Sequence, residues 1–142
     1  MSTVKSVFGL LLAAALPSSF VFAGQTPNLS GTWLADSNGS LKLIFDQKDG
    51  NIHVEEVEGD KVKADFTCTL NGQECSVKQD GHSEKVMLYF NGAKLVEIRE
   101  RGADTIKERF TVSDDGKTLT EETVPLSSTQ KAETLSFRRQ AA

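Results

Sequence analysis

Histidine and cysteine each occur only twice in the 142 residues, and tryptophan and tyrosine once each. His53 falls in a polar strand phase and His82 in a turn. Neither belongs to the set of nucleophile, base and orienting group that hydrolysis needs. A metal centre needs more ligands than these residues supply, so no metal, no cofactor and no catalytic residue is assigned, and the chain is read as a non-enzyme. Basic clusters are missing too. Acidic residues outnumber basic ones 20 to 16, and the signs alternate along Glu97, Arg99, Glu100 and Arg101, which reads as a solvated strand surface. Such a chain has no general attraction for nucleic acid or anionic lipid. Beyond residue 23 no apolar run approaches the length a membrane span needs, and helical periodicity is absent.

The one long apolar run has the layout of an export signal. Lys5 supplies the positive start, Phe8 to Leu16 the apolar stretch, and Val21-Phe22-Ala23 the residues around a cleavage point. Pro17-Ser18-Ser19 interrupts the run before it could serve as an anchor. Cleavage after Ala23 is therefore expected, leaving residues 24–142 as one exported domain, periplasmic or secreted. Lys5 is the only charged residue in the segment, so its removal makes the remaining chain more acidic.

That remainder is punctuated every ten residues or so, at Asn38-Gly39, Asp49-Gly50, Gly59-Asp60, Asn71-Gly72, Asp80-Gly81, Asn91-Gly92, Gly102-Ala103 and Asp115-Gly116, with a looser polar break over Ser127–Gln130. Asn-Gly and Asp-Gly tolerate the positive φ of type I′ hairpin turns, whose twist suits right-twisted strands. Between the breaks the residues alternate: Leu41, Leu43 and Phe45 against Lys42 and Asp46; Val62, Ala64, Phe66 and Cys68 against Lys61, Lys63, Asp65 and Thr67; Ile106, Glu108, Phe110 and Val112 against Thr105, Lys107, Arg109 and Thr111. Period two means one dry face and one wet face. Short connections make sequence neighbours pair antiparallel. The expected fold is all-β, an up-and-down antiparallel meander barrel of about eight to ten strands, because closure removes the exposed edges. A two-layer sandwich is the rival, and it needs longer crossovers than most of this chain offers.

Cys68 and Cys75 flank Asn71-Gly72 symmetrically. A two-residue turn there sets them opposite one another, within the Cα separation that a disulfide accepts. An exported chain meets an oxidising compartment, so a disulfide clamping that hairpin is expected.

The chain after the signal begins Asn28-Leu29-Ser30-Gly31-Thr32-Trp33. A Gly-x-Trp on the first strand of a meander resembles the opening motif of the calycin group, lipocalins and fatty-acid-binding proteins among them. Together with the late Ser113–Thr120 turn and a last strand ending in Phe137, Arg138 and Arg139, it resembles small exported bacterial lipocalin-like proteins of unassigned function. The resemblance implies that Gly31 and Trp33 are structural, with Trp33 closing one barrel end under a late basic residue, Arg138 or Arg139. It also carries two departures. No helical lid segment separates the first two strands, and Leu135 and Phe137 stand where fatty-acid-binding proteins commonly place an Arg-x-Tyr pair for a carboxylate.

The apolar phases nominate an interior that includes Phe45, Phe66, Phe90, Phe110, Val96, Ile98, Leu135 and Phe137. Glu56, Glu108 and Glu121 share those phases. Either they reach the rims or are turned outward by bulges, or they form a polar element inside an apolar pocket that meets a donor or cationic group on a ligand. Glu55-Glu56 and Glu121-Glu122 cannot act as dyads, since neighbours on a strand face opposite ways. Three roles are open: a carrier of a small apolar or amphipathic ligand; a protein-binding module such as a protease or lysozyme inhibitor, using the Cys68–Cys75 hairpin and the Asp80–Ser83 turn against a protein partner; or a structural envelope domain. The expected strand number favours a cavity, and so the carrier.

Overall fold

Ten antiparallel strands succeed one another, five of the nine connections being two-residue turns, in the computed structural model, which describes residues 26–79 and 81–141. The expected export signal lies outside the described residues. The strands are β1 (Gly31–Ala35), β2 (Leu41–Lys48), β3 (Asn51–Glu58), β4 (Lys61–Thr69), β5 (Cys75–Gln79), β6 (His82–Asn91), β7 (Lys94–Arg101), β8 (Asp104–Val112), β9 (Thr118–Pro125) and β10 (Glu133–Arg139). The turns do what their residues allow: Asp49 and Gly50, between β2 and β3, both take positive φ, 52° and 76°, as a type I′ turn requires. Among the described residues no helix is long and apolar enough to cross a membrane.

All ten strands form one sheet in the order β4-β3-β2-β1-β10-β9-β8-β7-β6-β5, so the sandwich is excluded. The first and last strands meet, with Trp33 opposite Arg139 and Ala35 opposite Phe137. The barrel's gap lies elsewhere, between β4 and β5, the two ends of the sheet order. This corrects the expected cysteine hairpin. The Cys68–Cys75 disulfide exists, with Cα atoms 5.9 Å apart, but it joins two strands that share no backbone ladder. Residues 70–74 form a wider connection, tied instead to β6 by Gly72 N donating to Leu88 O at 2.9 Å. Further along the seam, Gln79 Nε2 donates to the carbonyl oxygen of Lys63. One covalent bond and this side-chain link thus stand where a row of backbone hydrogen bonds would otherwise run. A register shift between Glu56 and Val57 also turns Val62 outward, where it is 48% exposed, although the residues after it alternate as the sequence suggests.

One barrel end is closed by the segment before β1. Leu29 and Trp33 are fully buried, and Trp33 Nε1 donates to Leu29 O at 2.9 Å. Gln47 holds the segment in place, its Oε1 accepting from Leu29 N at 3.1 Å and its own N donating to Ser30 Oγ at 2.9 Å. Outside the indole lies the Arg139 guanidinium, 4.1 Å from the ring centroid, where a cation over an aromatic face contributes about 0.5–2 kcal/mol. Arg139 is anchored by donating to Gly116 O at 2.8 Å and Ser30 O at 2.5 Å. Gly31 has φ +137°, and a Cβ there would lie 2.6 Å from Arg139 Nη1. The Gly-x-Trp motif is therefore a steric unit: glycine leaves the room through which the arginine reaches the tryptophan. Arg138, the other arginine named from the sequence, instead pairs with exposed Asp36 at 2.5 Å.

Candidate functional site: the barrel interior

The interior has an apolar half at the Trp33 end and a charged half toward the opposite mouth. Phe45, Phe66 and Phe110 are buried in the core, and Phe90 packs against it half-buried. Phe45 and Phe110 meet edge to face, with ring centroids 5.4 Å apart. Cross-strand register then sets the inward neighbours of each apolar residue. Phe45 lies opposite Val54, and Leu43 opposite Glu56. Phe110 lies opposite Leu95, and Glu108 opposite Glu97. Across the next ladder Phe110 faces Glu121, which in turn faces Leu135. Since alternate residues share a face, Glu56, Glu97, Glu108 and Glu121 all point inward, from β3, β7, β8 and β9. Glu84 of β6 shares the inward phase of Val86 and Leu88 and enters the same space.

This resolves the two arrangements left open for the three glutamates. Glu56, Glu108 and Glu121 are neither turned outward nor spread along the rims; they converge across the lumen closely enough for their charges to interact. The phase assigned to β7 is also corrected. Val96 and Ile98 do not line the interior, and Glu97 and Arg99 are not a solvated surface. Leu95 sits opposite both Phe90 and Phe110, so Glu97 and Arg99 turn inward with it, and Glu97 is 1% exposed. Glu97 and Arg99 were missed because Val96 and Ile98 are the more apolar pair, and Glu84 because the inward phase of Val86 and Leu88 was not carried two residues back to a charged side chain. The signal was the short turn after Phe90: with Val86, Leu88 and Phe90 inward, a two-residue turn sends the odd-numbered residues of β7 inward.

Arg99 organises the cluster. Its Nη2 and Nε donate to Glu97 Oε1 at 2.7 and 3.1 Å. Glu84 lies 3.7 Å away and Glu108 3.8 Å. Glu84 also pairs with Arg101 at the rim. Burial works against the charge on Arg99, but Glu97, Glu108 and Glu84 outweigh it and hold the guanidinium more firmly protonated than usual. The other carboxyls move the opposite way. Burial, reinforced by Glu97, lifts Glu108 well above the usual carboxylate range. Burial lifts Glu56, with Arg99 opposing. Burial, then Glu56 and Glu97, pushes Glu121 up to about 7. A lone buried carboxylate is disfavoured by desolvation, and like charges nearby disfavour it further. The cluster is not sealed from solvent: the inward-pointing Glu108 and Arg99 side chains keep 15% and 18% exposure. At the mouth a cleft of about 590 Å³ is lined by Ile106, Thr123 and Pro125 with the β9–β10 loop.

His53 lies outside the barrel, its Nε2 2.6 Å from Asp65, and His82 is exposed. Among the described residues no group of three or more His, Cys, Asp or Glu side chains is arranged to hold a metal ion.

No sequence family and no curated protein matches the chain. Solved structures do. A structure described as the REP1-NXSQ fatty acid transporter superposes with a TM-score of 0.66 at 14% identity, over 80% of this chain and 97% of that one. A secretary abundant heat soluble protein from Ramazzottius varieornatus gives 0.66 at 9% identity, over 79% and 95%. Fatty-acid-binding protein 1 of Echinococcus granulosus gives 0.64 at 12% identity, over 80% and 98%. At these identities the likeness is one of fold: a ten-stranded, nearly closed barrel of the fatty-acid-binding, calycin-like kind.

Proposed function

We propose that this chain is an exported carrier that holds a small amphipathic molecule inside its barrel, apolar part toward Phe45, Phe66 and Phe110, polar end at the charged half. The observation that carries this reading is the interior itself. Five glutamates and Arg99 point into a lumen that keeps solvent access, directly beside an aromatic wall. A domain selected only for stability gains little from such a cluster, since apolar replacement of buried ion pairs is often neutral or stabilising. Binding sites are built in this way, from a mostly apolar concavity with a few convergent polar groups. The neighbours named for fatty-acid transport and binding support the use of this fold as a container. Purification from the native host, then native mass spectrometry, tests the reading, with uptake and displacement of a polarity-sensitive dye as a second readout. A co-purifying small molecule, or dye displaced by amphiphiles, is the expected result. Recovery of empty protein that takes up no dye would overturn it.

A further inference from the structure

An amphipathic molecule meets a poor entrance at either end of the barrel. At one end Leu29 and Trp33, both fully buried, fill the opening. At the other, an apolar tail has to pass Glu97, Arg99 and Glu108 before it reaches Phe45 and Phe66. An alkyl chain sliding between charged groups strips them of water and offers nothing in exchange. The wall itself has one weak line. Among the described residues every neighbouring pair of strands shares a backbone ladder except β4 and β5, the two ends of the sheet order. Two links cross that seam: the Cys68–Cys75 disulfide and the hydrogen bond from Gln79 Nε2 to Lys63 O. They stand well apart, since Cys75 and Gln79 are the two ends of β5, separated by about 13 Å of extended chain.

We infer that this seam is a lateral port through which the ligand's apolar tail enters and leaves, hinged at the disulfide and closed at its far end by Gln79. The inference rests on the carrier reading above. The inner lips of the seam are apolar: Ala64, Phe66 and Cys68 of β4 and Val77 of β5 are all buried. Phe66 belongs to the aromatic wall, so a tail crossing beside it arrives in the apolar half without passing the charged one. At the Gln79 end the two strands already stand apart, leaving a cleft of about 130 Å³ lined by Val62, Lys63, Ala64, Asp65, Lys78 and Gln79. Val62, turned outward by the register shift, is 48% exposed there and gives the entrance an apolar surface.

The links set where the seam opens and how far. Parting any two paired strands breaks a row of backbone hydrogen bonds and leaves their donors and acceptors unmet. Parting β4 from β5 at the Gln79 end breaks one side-chain hydrogen bond. That link is one-sided as well, because the buried Gln79 Oε1 accepts nothing in return. The disulfide fixes the other end of the seam, so the two strands swing apart about it and come back into the same register. Each strand meanwhile keeps its own ladder, β4 with β3 and β5 with β6, and the barrel survives the movement.

Stopped-flow mixing with laurdan, a neutral polarity-sensitive dye with a long alkyl tail, tests the inference on three forms of the protein. These are the unaltered chain, Gln79→Ala, and Lys63→Cys with Gln79→Cys oxidised to a second disulfide across the seam. Gln79→Ala loses the closing hydrogen bond, so uptake and release should both quicken by about five-fold. The doubly bridged protein should exchange dye at least about ten-fold more slowly in both directions. Kd should stay the same throughout, because a port changes passage and leaves the bound state alone. If the second bridge does not form, Gln79→Ala decides by itself. Equal rates in all forms overturn the port and leave the carrier, with the mouth as its entrance. A change confined to uptake, with release unaltered, also overturns the port. Failure of the unaltered protein to take up dye overturns the carrier and the port together.

Discussion

Glu121 makes the charged lumen measurable without any ligand. Its carboxyl is raised from 4.5 to about 7, so between those values the folded protein holds a proton that the unfolded chain has released. Stability rises with pH only where the unfolded state binds more protons; here it binds fewer. The contribution is fully present below the unfolded value and is lost as pH climbs through about 7. At about 1.4 kcal/mol per unit, the difference is at most about 3 kcal/mol, which for a domain of this size is a fall of about 10 °C in Tm. Glu56 and Glu108 are displaced in the same direction and add to the slope. Thermal unfolding monitored by circular dichroism should therefore show the unaltered protein less stable at about pH 8 than at about pH 5, opposite to the behaviour of a protein held by ionised surface pairs. Glu121→Gln keeps the shape and removes the ionisation, so it should raise Tm at pH 8, leave it nearly unchanged at pH 5 and flatten the profile between. A Tm that is level or rises from pH 5 to pH 8, or a variant with an unchanged slope, would refute this reasoning.

Gly31→Ala puts a Cβ into the Arg139 guanidinium at a backbone angle that side chains rarely adopt; a loss of about 2–4 kcal/mol in urea unfolding is expected. In an Arg139→Ala background the clash disappears and the strain remains, so a double-mutant cycle should show coupling between the two positions. Trp33→Phe removes the donor to buried Leu29 O and should lower stability by about 1–3 kcal/mol, with hydrogen exchange rising across the segment before β1. Changing Cys68 and Cys75 to serine opens a loop of sequence separation 7 and should cost about 2.5 kcal/mol. Its signature in hydrogen exchange is local, confined to β4, β5 and the connection between them.

Much of the barrel could be read from residue order because its determinants are local. Asp49-Gly50 and its counterparts fix turns, and Leu43, Phe45, Ile106 and Phe110 fix phases within single strands. The residues at the candidate site were harder to read for physical reasons. On β7 both phases carry apolar residues, and hydropathy favours Val96 and Ile98. Register is decided by cross-strand partners, Phe90 and Phe110, which no single strand reveals. Phase alone also leaves open whether Glu56 faces the lumen or the rim, since the register shift beside it comes from an extra residue, Lys63, in the partner strand β4. The Cys68–Cys75 spacing suits both a paired hairpin and an unpaired seam, because a disulfide constrains distance without requiring a ladder.

The seam has a consequence for how the chain could be rewired. Since β4 and β5 touch without backbone pairing, the sheet is a ribbon whose ends lie in the middle of the chain, while the first and last strands meet inside the ribbon. A circular permutant opened in the 70–74 connection, with the original termini joined, would lay down β5 through β10 and then β1 through β4 in the order they stand in the sheet. Every strand pairing would then be a local hairpin. The slow encounter between residues more than a hundred positions apart would vanish, and the rearranged protein should fold faster than its parent.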